Sequence, residues 1–310
     1  MSRIFCVIDG MTHPGFDPAR YPALSRLRLQ GMAETVPPGH AAESLPCILT
    51  LLGMRNVPKN LRGCAEALGA GLPAGENDLI LRASWVKLDE WGIATGLADA
   101  PKEFPAPGVR YHPLGGYKAL LLLPGEADAL PGIVTHAPYA YLGRPFSELL
   151  PSGSAALRNA VERSRTKGRA MLPWGQSKMA SLPPFPERAA AVCGANLARG
   201  AARLLGMAII PVSGATGDTD TDLFAKAEAA LQAAEEYPFV FLHVNGADEA
   251  AHRKDAAEKE RFLLSVNETL LRPLLDSPHA LTVTADHGTD PATGLHTGGP
   301  QPMFVKDGTL

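Results

Sequence analysis

Short apolar runs alternate with stretches of helical periodicity at the beginning of the chain and again in its last 120 or so residues. Predicted strands occupy residues 4–8, 33–36, 207–212, 239–244 and 280–285, and predicted helices occupy residues 23–31, 45–52, 188–205, 221–235 and 256–275. Strands that alternate with helices are typical of a parallel sheet with helices packed on its faces. The pattern therefore predicts the α/β class, with a doubly wound, mostly parallel sheet.

The middle of the chain, residues 57–184, has a different pattern, rich in proline and without long helical periodicity. Strands are predicted there at residues 78–88, 117–123 and 132–136, and a helix at residues 155–164. We interpret 57–184 as a smaller α+β domain inserted into the chain. The flanking segments, 1–56 and 185–310, then form one discontinuous domain.

Composition narrows the range of partners. The net charge is -3, and the 29 Lys and Arg residues are scattered, so no basic run predicts nucleic-acid binding. No run of 18 apolar residues predicts a membrane span, and the N-terminus has the pattern of a strand and not of a signal peptide. The four cysteines show no CxxC spacing, which favours buried thiols. We expect a cytoplasmic protein that binds neither nucleic acid nor membranes; its oligomeric state is not predicted.

Acidic and imidazole side chains follow several of the apolar runs. Asp248 and His252 are four residues apart, so one helical turn would place both on one face, where they could bind one cation. A solvated helix face would also explain that pair on its own. Asp9 ends the first predicted strand, and Asp286, His287 and His296 follow the last one. Ligands of open α/β sheets lie at the carboxyl ends of the strands, and the combined set favours a metal site.

Two ligand groups account for these residues. Asp248, His252 and His296 form one, and Asp9, Asp286 and His287 form the other, with Ser44 nearby. Oxygen and nitrogen ligands without sulfur suit Mn²⁺, Zn²⁺, Co²⁺ or Mg²⁺. Two such divalent ions are the usual clamp for phosphoryl displacement.

Ser44 precedes the predicted apolar helix 45–52, and two interpretations of it remain open. A serine there can cap the helix, which contributes about 1 kcal/mol. It can also be a nucleophile, since backbone N–H groups at a helix N-terminus favour an incoming phosphate.

At these residues the chain resembles the alkaline phosphatase superfamily and, within it, the archaeal-type, 2,3-bisphosphoglycerate-independent (cofactor-independent) phosphoglycerate mutases. The matching motifs span nearly the whole chain in the family's order: Asp9-Gly10, Gly39 to Ser44, Leu52-Gly53, the Gly-Ala-Thr-Gly loop at 214–217, the block 243–252, Asp286-His287 and His296-Thr297. The resemblance implies an alkaline-phosphatase-like fold. It also implies two divalent metal ions, with Asp9, Ser44, Asp248, His252, Asp286, His287 and His296 as ligands.

The resemblance further implies that Ser44 accepts the phosphoryl group of a phosphoglycerate and returns it to the neighbouring hydroxyl, which interconverts 2- and 3-phosphoglycerate in glycolysis. It makes 57–184 a substrate-binding cap, in which Arg82, Lys118 and Lys178 are expected to bind the small phosphorylated substrate. Leu45 stands where the family has Asp after its serine. A metal-dependent phosphatase or phosphodiesterase acting on another metabolite therefore remains an alternative, as does a non-catalytic metabolite-binding homologue. Sulfatase chemistry is disfavoured, since Ile48 replaces the arginine of the sulfatase motif.

Overall fold

The computed structural model describes residues 2–306, which divide into two compact units. One contains the residues up to Val57 and those from Leu182, and the other is Pro58–Ser181. None of the helices within residues 2–306 combines the length and apolarity that a membrane span requires.

The first segment of the larger unit contains β1 (Arg3–Ile8), β2 (Gly10–Thr12), α1 (Pro22–Ser25), β3 (Arg28–Ala33) and α2 (Ser44–Leu51). The smaller unit contains α3 (Arg62–Ala70), β4 (Leu79–Leu88), β5 (Ala94–Leu97), β6 (Arg110–Gly115), β7 (Lys118–Leu123), α4 (Ala155–Ser164) and β8 (Arg169–Ser177). The chain then returns to the larger unit with β9 (Ala189–Cys193), α5 (Asn196–Leu204), β10 (Ala208–Ile209), α6 (Leu223–Glu236), β11 (Phe239–Val244), α7 (Gly246–His252), α8 (Ala256–Ser265), a π-helix (Val266–Leu271), α9 (Arg272–Asp276), β12 (Ala280–Thr284), β13 (Gly288–Asp290), β14 (Leu295–Thr297) and β15 (Gln301–Val305).

A seven-stranded sheet in the order β10-β9-β11-β1-β12-β15-β3 forms the centre of the larger unit. The first five strands in that order are parallel, and β15 pairs antiparallel with both β12 and β3. The apolar core packs against one face of the sheet, with alternate residues of β1 such as Ile4, Cys6 and Ile8. The predicted α/β class with a mostly parallel sheet is confirmed.

The smaller unit is built on antiparallel strands. Its sheet has the order β5-β4-β7-β6, and β8 pairs with β4. The strand β4 is almost wholly buried, and its apolar side chains pack with those of β7, β8 and α4. Antiparallel strands accompanied by two helices are an α+β arrangement, as predicted for the inserted domain.

Two predicted helices in the larger unit are correct over only part of their length. Residues 188–205 contain β9 and then α5, because the alanine-rich run 189–193 is a buried central strand. The break between them falls at Gly194, where a Cβ would lie 1.8 Å from the carbonyl oxygen of Thr216. The predicted helix 23–31 ends at Ser25, since the following residues pair with β15 as the edge strand β3. That edge strand also replaces the strand predicted at residues 33–36.

Two further segments differ in detail from the predictions. The predicted helix 256–275 is interrupted by the π-helix, which ends two residues before Pro273, a residue without an N–H group for the regular ladder. The predicted strand 132–136 forms a single bridge, between Val134 and Ser152, and the chain before it is a 3₁₀-helix that ends at Gly132.

Candidate metal centre

Three neighbouring strands of the large sheet deliver acidic and imidazole side chains to one edge. Asp9 follows β1, His243 is the fifth residue of β11, and Asp286 and His287 follow β12. Val7 of β1 pairs with His243 on one side and with Thr284 on the other, so these strands end at the same level. Since the strands are parallel, their carboxyl ends form one crevice, where sites of this fold class lie.

The first ligand group, which we call the outer group, consists of Asp248, His252 and His296. One turn of α7 places Asp248 and His252 on the same face, with Oδ2 and Nε2 at 3.1 Å. The strand β14 supplies His296, whose Nε2 lies 3.1 Å from His252 Nε2 and 3.5 Å from Asp248 Oδ1. One ligand atom from each of the three residues lies within 4.8 Å of the others.

The two histidines of the outer group are held by their other ring nitrogens. His252 Nδ1 donates to the carbonyl of Gly294 at 2.8 Å, and His296 Nδ1 donates to the carbonyl of Ala42 at 2.6 Å. A carbonyl can only accept, so each Nδ1 carries a proton, and each Nε2 is the ring nitrogen that faces the site. This backbone support is typical of metal-binding histidines.

The second group, which we call the inner group, consists of Asp9, Asp286 and His287 with Ser44. His287 Nε2 lies 3.2 Å from Ser44 Oγ, 3.6 Å from Asp9 Oδ1 and 3.5 Å from Asp286 Oδ2. Asp9, Asp286 and His287 are buried, and the ring of His287 stacks on His296 of the outer group with centroids 3.9 Å apart. The two groups are therefore adjacent.

The electrostatics of the buried carboxylates is that of a cation site. Burial raises the pKa of Asp9, and the neighbouring Asp286 and Asp248 raise it further. Burial also raises the pKa of Asp248, but the hydrogen bond and charge of His252 outweigh burial and hold that pKa well below its usual range. Asp9 Oδ1 and Asp286 Oδ2 have no hydrogen-bond partner within residues 2–306. Buried carboxylate oxygens without partners fit bound divalent cations, which would balance their charge.

Ser44 is the first residue of α2, and Glu43 occupies the N-cap position without a side-chain hydrogen bond. The interpretation of Ser44 as the N-cap is wrong, because its hydroxyl lies against His287 instead. Pro46, which has no N–H group, is accommodated in the first turn of the helix. The serine hydroxyl thus lies where the inner group and the helix N-terminus meet.

Two polar residues that we did not predict as site residues make hydrogen bonds to the two groups or to the segments that carry them. Thr289 Oγ1 donates to Asp248 Oδ1 at 2.6 Å. The buried Lys259 donates to the carbonyls of Gly10 and Thr289, both at 2.6 Å. Lys259 therefore connects β2, which follows Asp9, to β13, which follows His287. A lysine on an apparently amphipathic helix carries no sequence signal of burial, which is why it was missed.

His243 was also missed as a site residue, although it stands in the motif block 243–252. Its side chain is 1% exposed, and its Nε2 lies 3.5 Å from Asp9 Oδ2. Burial lowers the pKa of this imidazole to about 4, so the ring is neutral. One of its nitrogens lies within 4.8 Å of the carboxylate oxygens of Asp9 and Asp286. The signal that could have found it is a histidine near the carboxyl end of an otherwise apolar central strand.

The three predicted substrate-binding cations lie in the smaller unit. Arg82 is buried on β4, and its Nη1 donates to Glu66 Oε2 at 2.6 Å. Lys118 is half-buried at the start of β7, with its Nζ 5.2 Å from the ring centroid of Tyr117. Lys178 is exposed just beyond β8. A role for the three in substrate binding stays a prediction.

Comparisons with known proteins agree with this geometry. Among curated proteins, the chain is 29% identical over 317 residues to 2,3-bisphosphoglycerate-independent phosphoglycerate mutase 2 of Methanothermobacter thermautotrophicus, covering 89% of this chain and 78% of the relative. It is also 29% identical over 368 residues to 2,3-bisphosphoglycerate-independent phosphoglycerate mutase of Methanoculleus marisnigri, covering 98% of this chain and 87% of the relative. The predicted resemblance to these mutases is confirmed.

Solved structures show the same fold. A protein from Pyrococcus horikoshii is similar with a TM-score of 0.74 and 22% identity, over 98% of this chain and 87% of that one. A cofactor-independent phosphoglycerate mutase from Thermoplasma acidophilum is similar with a TM-score of 0.54 and 16% identity, over 100% of this chain and 91% of that one. The family model described as the metalloenzyme superfamily matches residues 13–310. The chain with this paired acidic and imidazole site therefore belongs to the metalloenzyme superfamily, which confirms the prediction of a metal-dependent enzyme.

Proposed function

We propose that the protein transfers phosphoryl groups through Ser44, and that its reaction is the interconversion of 2- and 3-phosphoglycerate. The observation that carries the proposal is the place of the Ser44 hydroxyl, at the start of α2 and 3.2 Å from His287 Nε2. A nucleophile needs a neighbouring group that activates it and donors that receive the incoming phosphate. The names of the curated relatives supply the substrate.

We assign Asp248, His252 and His296 to one divalent cation and Asp9, Ser44, Asp286 and His287 to a second. When bound, the two ions would favour the ionised form of the serine hydroxyl and neutralise phosphate oxygens. The protein itself contributes the backbone N–H groups of the first turn of α2, which have no intrahelical acceptors and favour an anion. Ser44 then attacks the phosphorus atom, and the substrate alkoxide leaves with the proton that the serine gave up.

We assign substrate binding to the inserted unit, on the basis of its local charge. The buried Glu66 accepts from Arg82 Nη1 and from Arg62 Nε, at 2.6 and 3.2 Å. Burial raises the pKa of Glu66, but Arg82, Arg62 and Lys118 together outweigh burial and lower it. Three cations around one carboxylate leave an excess of positive charge. Such an excess suits the carboxylate or phosphate of a phosphoglycerate.

A phosphatase on the same site is the second candidate, and Leu45 favours it. The buried Leu45 follows the nucleophile where the resembling mutases have an aspartate, so a polar group for handling the glycerate intermediate is missing. A mutase must hold that intermediate while it excludes water. If water reaches the phosphoserine first, the product is free phosphate.

The experiment follows both products at once. The purified, Mn²⁺-loaded protein is incubated with 3-phosphoglycerate, and 2-phosphoglycerate and inorganic phosphate are measured over time. We expect 2-phosphoglycerate to accumulate faster than phosphate; dominant phosphate release would establish the phosphatase. Ser44→Ala should abolish both products. Thr50→Ala removes another hydroxyl from the same helix, one that donates to the carbonyl of Pro46, and should leave turnover intact.

A further inference from the structure

His243 lies beside the inner group with its hydrogen-bonding capacity unused. The side chain is 1% exposed, and neither ring nitrogen has a hydrogen-bond partner within residues 2–306. Leaving a buried polar group without a partner costs about 1–3 kcal/mol. A leucine or valine would fill the same place in β11 without that cost, so the imidazole points to a ligand.

The spacing around the ring is that of ligands sharing an ion. His243 Nε2 lies 3.5 Å from Asp9 Oδ2, beyond the roughly 2.7–3.2 Å of a good N–H···O hydrogen bond. Two atoms that each bind one ion at about 2.1–2.2 Å lie roughly 3.0–3.6 Å apart. The oxygens of Asp9 divide between two histidines, since Oδ1 lies 3.6 Å from His287 Nε2 while Oδ2 faces His243. Asp286 completes the cluster, with one oxygen within 4.8 Å of the atoms offered by Asp9 and His243.

We infer that His243 binds the same cation as Asp9, Asp286 and His287, as a nitrogen ligand additional to those assigned above. A separate third ion is disfavoured by charge, because only Asp9, Asp248 and Asp286 supply buried carboxylates to the whole described centre. The positive charge of two divalent ions already exceeds the negative charge of these three carboxylates. A neutral imidazole adds a ligand to one of the two ions without adding charge. The inference adds a ligand to the metal centre of the proposed function. It rests on that metal centre and does not depend on the identity of the substrate.

This ligand also constrains the metal. With His243 included, the inner ion has two carboxylates, two imidazoles and the Ser44 hydroxyl as protein ligands. Structural and catalytic zinc sites are mostly four-coordinate, whereas Mn²⁺, Co²⁺ and Mg²⁺ accept six ligands. The inner position should therefore prefer Mn²⁺ or Co²⁺ to Zn²⁺, and it still leaves room for one phosphate oxygen.

Two variants of equal size separate a ligand from a residue that merely orients Asp9. His243→Glu keeps a ligand but cannot donate a hydrogen bond, whereas His243→Gln keeps a donor but is a poor ligand. Binding of Mn²⁺ alone is measured by equilibrium dialysis without substrate. We expect His243→Gln to weaken the inner ion roughly a hundredfold and His243→Glu to stay within about tenfold of the wild type. The control His279→Gln changes a buried histidine at the start of β12, the far end of the sheet, and should bind as the wild type.

Better binding by His243→Gln than by His243→Glu would overturn the inference in favour of orientation of Asp9, and unchanged binding in both would show no role. If both variants lose the ion or fail to fold, nitrogen NMR of the wild-type protein with diamagnetic Cd²⁺ decides. Metal-shifted nitrogens in the rings of His243, His252, His287 and His296 support the inference, and their absence from His243 contradicts it. These measurements use no phosphoglycerate. A negative result in the mutase assay would therefore not change what they show about His243.

Discussion

Replacing Lys259 with methionine should weaken divalent-metal binding by roughly 10- to 100-fold while changing folding stability by only a few kcal/mol. The ammonium group is almost fully buried and donates to the carbonyls of Gly10 and Thr289, both at 2.6 Å. These carbonyls belong to β2 and β13, the short strands that follow Asp9 and His287. Without the lysine, the two strands lose a buried contact that joins them beside their own pairing at Gly288 and Thr12, so the metal itself must supply more of the order of Asp9 and His287.

The effect on stability is the difference between two opposing terms. Each buried carbonyl that loses its donor costs about 1–3 kcal/mol, so the two together cost about 2–6 kcal/mol. Burial lowers the pKa of Lys259 from 10.5 to about 8, so the charged form is disfavoured in the folded protein by about 3 kcal/mol. Methionine relieves that penalty and fills a similar volume. The net change is about 3 kcal/mol of destabilisation or less.

The assay combines urea unfolding of the metal-free protein with equilibrium binding of Mn²⁺ to the folded protein. Lys226→Met is the matched control, since Lys226 is also buried and burial lowers its pKa to about 8. Its contacts are longer, 3.3 Å to the carbonyl of Thr216 and 3.4 Å to that of His243, so a smaller loss of affinity is expected. A folded Lys259→Met protein that binds Mn²⁺ as tightly as the wild type, or as tightly as Lys226→Met, would refute the reasoning.

Three further changes probe the site and the inserted unit. Thr289→Val removes the hydroxyl that donates to Asp248 and should weaken the outer ion about tenfold, whereas Thr289→Ser should not; equal Mn²⁺ affinity in both would contradict this. Arg82→Met leaves the buried Glu66 with one partner fewer and should destabilise the protein by about 3–5 kcal/mol in urea unfolding; a loss below about 1 kcal/mol would contradict this. Lys178→Ala changes an exposed residue, so unfolding should be unaffected while KM for 3-phosphoglycerate rises; an unchanged KM would make Lys178 a surface charge.

Several candidate ligand positions could be predicted from the sequence because they follow strands. Once the runs at 4–8 and 280–285 are taken as parallel neighbours, Asp9 and Asp286 must meet at one edge of the sheet. Helical spacing likewise places Asp248 beside His252. These inferences need only the periodicity of each element and the direction of the strands.

The residues that were missed depend on tertiary contacts that carry no local pattern. His243 sits within an apolar strand, and only the sheet register shows that it points beside Asp9. Lys259 stands on a helix whose other charged residues are partly or fully exposed, and its own burial follows from its contacts with β2 and β13. The alanine-rich run of β9 suits a helix or a buried strand equally, and its neighbours decide between them.

Arg82 shows how a predicted role can be changed by burial. Its place in a motif of the resembling family predicted contact with a substrate anion, and the structure shows a guanidinium that donates to Glu66 with both side chains buried. The same arginine can orient the Glu66 cluster and contribute to its excess positive charge. Measuring KM for 3-phosphoglycerate as well as the unfolding of Arg82→Met separates those contributions.

The central claim, phosphoryl transfer through Ser44, is tested most directly by trapping the modified enzyme. The Mn²⁺-loaded protein is mixed with 3-phosphoglycerate, quenched in acid within a single turnover, digested, and analysed by mass spectrometry for the peptide that contains Ser44. We predict a phosphoryl group on Ser44 that forms and decays at the rate of turnover and is absent from metal-stripped protein. Product formation at the full rate with Ser44 unmodified at every time point, or in the Ser44→Ala variant, would contradict the claim.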